Sequence, residues 1–148
     1  MSMFAPITAG RGWAEHVLMR LARRYAVRRM KGEPVLPPLV GLAERLGASA
    51  QAAVAAASLF ELTEAVLGRP LGVGRSCDPR PSPDERALFL LVAHGPGAGP
   101  ARTARAMPHG LPGVLVWAAT SVRLALGAPA GAAEVTASCP FGAVPASA

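Results

Sequence analysis

Aromatic side chains are scarce in this chain: its 148 residues include four Phe, two Trp and one Tyr. Without bulky rings, the core must be built from leucine and from close helix approaches. Alanine supplies much of the 51% hydrophobic fraction but buries little area per residue. Lysine is absent apart from Lys31, so the positive charge is almost entirely arginine. That bias also fits GC-rich coding and by itself says nothing about phosphate binding. Acidic residues are few, with Asp and Glu totalling 9 against 15 Lys and Arg, a formal net charge of +6. Such a balance favours acidic partners (nucleic acid, an anionic membrane surface or an acidic protein), but it also describes an ordinary positive surface.

Other absences exclude chemistry. Cys77 and Cys139 form no C-x-x-C pair, and Met1 to Gly10 is too short and polar for a secretory signal, so the expectation is a cytoplasmic protein with reduced thiols. His16, His94 and His109 are scattered and have no metal-ligand spacing with Cys77 or Asp78, so neither metal nor cofactor is expected. Gly72-Val-Gly74 and Gly95-Pro-Gly97 fit no nucleotide fingerprint, because no strand precedes them and no Lys-Ser/Thr follows. No carboxylate pair is set up as acid and base, and no nucleophile stands beside a histidine. The expectation is a protein that is not an enzyme, with no small-molecule substrate inferred. The apolar stretch from Leu111 to Leu126 is too short and too interrupted by Arg123 for a membrane span.

What is present is helical punctuation. Trp13, Val17, Leu21 and Tyr25 recur at i+4 steps in a helix over about Trp13 to Met30, with Arg20, Arg23, Arg24, Arg28 and Lys31 on the opposite face. Glu33-Pro34 and Pro37-Pro38 read as an extended link to a second helix, about Pro38 to Leu46, closed by Gly47. Ser49 caps a third helix, Ala50 to Leu67, with Val54, Leu59, Leu62, Val66 and Leu67 as its core stripe. After a loop from Arg69, Ser82 caps a fourth helix, Pro83 to Ala93, whose Asp84 and Glu85 suit the positive end of the helix dipole. His94 to Pro100 reads as a flexible break, and Ala101 to Met107 as one or two helical turns. A fifth helix, about Pro112 to Leu126, is apolar almost all round and is expected at the centre of the bundle. The fold class is all-α: a compact bundle of about five helices in one domain, residues 1–127, followed by a low-complexity, partly disordered tail, residues 128–148.

Leu42-Ala-Glu-Arg-Leu-Gly47, Ala48-Ser49 and the helix running to Leu67-Gly68-Arg69-Pro70-Leu71 resemble the helix-turn-helix of bacterial transcription regulators over residues 39–71. Ala43 would allow close crossing, Gly47 the turn, and Leu42, Leu46 and Val54 would lock it. The resemblance implies a groove-reading third helix. There only Gln51 and Ser58 are side chains of the type that reads base edges, amid a run of alanines, so packing or self-association is weighed above DNA reading. The turn Cys77-Asp-Pro-Arg80-Pro-Ser82-Pro-Asp-Glu85, with Arg28-Arg29-Met30, is similar to small uncharacterised helical proteins of alphaproteobacteria, a resemblance that implies no activity.

The anion-binding candidates are Arg20, Arg23, Arg24, Arg28 and Lys31, and the nucleic-acid candidates are Gln51 and Ser58. The leading expectation is a non-catalytic regulatory or adaptor protein that binds another macromolecule through a helical surface, either a protein partner or a second copy. The alternative is a DNA-associated regulator that uses the helix-turn-helix-like segment with the basic helix. An anionic membrane surface ranks third.

Overall fold

Glycine and hydroxyl residues set the helix ends in the computed structural model, which describes residues 11–94 and 112–127. Five helices occupy them: α1 (Arg11–Lys31), α2 (Leu36–Arg45), α3 (Ala50–Leu67), α4 (Pro83–His94) and α5 (Pro112–Gly127). α2 begins earlier than expected. Pro37 and Pro38 stand in its first turn, where a missing N–H breaks no helical bond, and so they start the helix instead of extending the link before it. Gly47 takes φ +81° in the turn that follows, and its N–H donates to Glu44 O at 3.0 Å while Ala48 N donates to Ala43 O at 2.8 Å. This double bond to the preceding turn ends α2 and requires a left-handed residue, which glycine supplies without strain. Ser49 then starts α3 by accepting from Ala52 N at 3.1 Å.

The elements assemble into a compact all-α bundle around α3, which packs on α1, α2 and α5. Its buried face is made of Ala52, Ala53, Ala56 and Ala57, followed by Leu59, Phe60 and Thr63. Small side chains let neighbouring backbones approach, and this is what places α3 at the centre. α5, expected there, lies instead against α3 and α4 and keeps an open side. By length and composition α3 is also apolar enough to cross a membrane. Here that apolar surface meets three other helices. From α1, Val17, Leu21 and Tyr25 are buried as expected, with Leu18 and Ala22 beside them and Trp13 half-buried, and the rings of Tyr25 and Phe60 meet tilted at 5.2 Å. Val54, expected in the core stripe of α3, is exposed, and so is Met30 at the end of α1.

The expected break from His94 to Pro100, apart from His94 at the end of α4, lies outside the described residues. So do the turns at Ala101 to Met107, residues His109 and Cys139, and the tail at 128–148.

Candidate functional site

The linker from Gly68 to Ser82 joins α3 to α4 without regular structure. Rich in proline and glycine, it has few backbone bonds of its own, and its polar groups must find partners elsewhere. Side chains from three helices meet them. Glu64 of α3 accepts from Leu71 N at 3.0 Å, from the Tyr25 hydroxyl at 2.9 Å and from Arg29 Nη2 at 3.3 Å. Burial and the Glu64 carboxylate together raise the Tyr25 hydroxyl pKa above its ordinary value. Asp84, in the first turn of α4, accepts a two-pronged pair from Arg69 at 2.7 and 3.0 Å and a bond from Gly72 N at 2.7 Å. The Arg69 bond lowers the Asp84 pKa, burial opposes it, and the Gly72 bond adds to the lowering.

Arg23 of α1 is the centre of this arrangement. Its Nε and Nη2 grip Glu85 of α4 at 2.7 and 3.1 Å. Nη1 donates to the carbonyls of Arg75 at 2.6 Å and Asp78 at 2.5 Å, and Nη2 to that of Arg80 at 3.1 Å. The five N–H donors of a guanidinium are thus all engaged. Glu85 is equally occupied, accepting from Ser82 N at 2.7 Å and Gly74 N at 3.3 Å as well. Ser82 Oγ in turn accepts from Glu85 N at 3.1 Å and donates to Gly72 O at 2.5 Å. The Ser82-x-x-Glu85 capping box is therefore joined to a long-range ion pair. The side chains are 4% exposed for Arg23 and 0% for Glu85. Burial pushes the Glu85 pKa up, yet the bonds from Arg23, Ser82 and Gly74 outweigh it and leave the carboxyl below its ordinary value.

This corrects the basic face. Arg23 is not one of its outward cations, because linker carbonyls and Glu85 take every donor it has. Arg28 is held by Glu33 at 2.6 Å. Arg20, Arg24 and Lys31 are exposed and have no carboxylate partner among the described residues. Glu85 does more than favour the helix dipole, the role expected of it. The two-residue cap was readable from spacing, but the ion pair joins positions 62 apart and has no local signal.

Two other features concern the surface. Arg20, Arg23, Arg24 and Val27 of α1, Leu42 of α2 and Ser76 of the linker line a cavity of about 170 Å³. On α5, Val114, Trp117 and Leu124 are exposed at spacings that place them on one side of the helix, and Trp117 is 61% exposed. The nucleic-acid candidates Gln51 and Ser58 are exposed on α3 in line with Val54 and Glu61, and the Ser58 hydroxyl donates back to Val54 O at 3.2 Å. Cys77 is an exposed free thiol. Among the described residues, no group of three His, Cys, Asp or Glu side chains is placed to hold a metal. Comparison of the chain with family models, with curated proteins and with solved structures finds no match in any of the three.

Proposed function

We propose that the chain is a non-catalytic regulatory or adaptor protein that binds another macromolecule through a helical surface. The observation that supports this reading is the apolar side of α5, where Val114, Trp117 and Leu124 face solvent. Single exposed apolar residues are ordinary, but an aligned set that includes a tryptophan has the composition of an interface anchor. The buried ionisable pair gives no competing catalytic reading, since Arg23 and Glu85 have their donors and acceptors committed to the linker.

The alternative, a DNA-associated regulator, has less support. The exposed stripe of α3 carries Gln51 and Ser58 but no cation, and it includes Glu61, which a phosphate backbone repels. A photo-crosslinking residue placed at position 117, in the cells that make the protein, tests the protein-partner reading. We expect one dominant protein adduct from position 117, lost on Leu124→Glu and absent when the crosslinker is at position 51. No adduct at 117 above that control would overturn the reading, and adducts to nucleic acid from position 51 would favour the alternative.

A further inference from the structure

The cavity beside the linker has a chemical character that the α5 surface lacks. Arg20 and Arg24 stand one turn apart on α1, both exposed, and neither makes a hydrogen bond or ion pair among the described residues. Ser76 faces the same cavity from the linker, also exposed and without a side-chain partner there. The remaining cation in the wall, Arg23, is neutralised by Glu85 and holds the linker carbonyls of Arg75 and Asp78, the residues on either side of Ser76 and Cys77. The latch thus fixes one wall of the cavity, while Arg20 and Arg24 supply uncompensated charge. Val27 and Leu42 add an apolar surface. At about 170 Å³ the space is below the roughly 300–1,000 Å³ of drug-sized ligand sites, so it suits a small anion.

The geometry points to a binding site for a phosphoryl group, carried by a small molecule whose substituent rests on Val27 and Leu42. A phosphoryl group offers three terminal oxygens to the three unpartnered donor residues, Arg20, Arg24 and Ser76, where a carboxylate offers two. This site is separate from the α5 surface and does not depend on how that surface is used. It narrows the basic face of α1 from a strip of charge to one end of it, and leaves Lys31 outside.

Calorimetric titration of the full chain with inorganic phosphate and with phenyl phosphate tests it. We expect saturable one-to-one binding that weakens about tenfold or more in Arg20→Ala and in Arg24→Ala, as loss of a charge-assisted bond requires. Lys31→Ala should leave it unchanged. Circular dichroism should show all three variants folded, since the replaced side chains are exposed. Phenyl phosphate should bind more tightly than phosphate, because its ring would rest on Val27 and Leu42; equal binding would overturn the place given to the substituent. Absence of saturable binding would overturn the proposal. So would equal weakening by Lys31→Ala, which would reveal only diffuse attraction to net charge.

Discussion

Two parts of the molecule are held together by opposite means. Where α3 meets its neighbours, close packing rests on Ala52, Ala53, Ala56 and Ala57, which carry no polar side-chain atoms. Where the linker meets α1 and α4, the fastening is a buried charge pair with every donor and acceptor assigned. The first kind of contact degrades by degrees as shape is lost. The second fails as a unit, because removing one partner leaves the other as an uncompensated buried charge. Glu85→Ala should therefore cost about 3–5 kcal/mol in urea or guanidinium unfolding. A cost below about 1 kcal/mol for Glu85→Ala would show that the linker is fastened by something else, and the contrast between the regions would collapse.

The same pair makes stability depend on pH in a way the alanine region does not. The Glu85 pKa is held below its ordinary value of 4.5, so the ionised carboxylate favours the fold above that pH. Its contribution is lost as the pH falls through the lower, folded-state value. Asp84, lowered by Arg69, acts in the same direction. The thermal midpoint of the native chain should decline as the pH drops from about 5 to 3, within the range where such carboxylates titrate. In Glu85→Gln the midpoint should start lower and fall less over that range. Parallel profiles would remove Glu85 as a source of the pH dependence.

Smaller effects sharpen the other side of the comparison. Ala56 is fully buried on the central helix, and Ala56→Leu should cost about 1–3 kcal/mol by forcing packed helices apart. Ser82→Ala removes the cap on α4 and the bond to Gly72 O, and should cost about 1 kcal/mol. If Ser82→Ala cost as much as Glu85→Ala, the capping box and not the ion pair would be the seat of the latch. Gly74 belongs to the same account. A Cβ there would stand 2.6 Å from Arg23 Nη2, and the guanidinium is pinned on every donor.

How far the fold was legible follows the same divide. The ends of the helix over Ala50 to Leu67 were readable to the residue, because Ser49 and Gly68 are local signals, but its buried face was not: of the expected stripe Leu59 is buried, Leu62, Val66 and Leu67 are half-buried and Val54 is exposed. The early start at Leu36 was missed because two successive prolines also read as extended chain. Placing α5 at the centre followed its apolar composition, but small size rather than hydrophobicity decided which helix is surrounded. The basic helix was legible as a helix with a charged face, yet not as a face from which Arg23 is withdrawn. That depends on Glu85 and on carbonyls of Arg75, Asp78 and Arg80, at separations of 52 to 62 residues. The cavity lined by Arg20, Arg24 and Ser76 shares that origin, because one of its walls is the linker that Arg23 holds.

The smallest expected effect tests whether the open side of α5 belongs to either region. A tryptophan packed in a core costs about 3–5 kcal/mol when cut to alanine. Trp117 is 61% exposed, so Trp117→Ala should change stability by no more than about 0.5 kcal/mol. Leu124→Ala should behave alike, whereas Leu115→Ala, two residues before Trp117 on the buried side of the same helix, should cost about 2–5 kcal/mol. This pattern along one helix would show that the fold does not use Trp117 for its own packing. A loss above about 2 kcal/mol at Trp117 would instead place the ring inside the packed structure and withdraw the surface proposed for a partner.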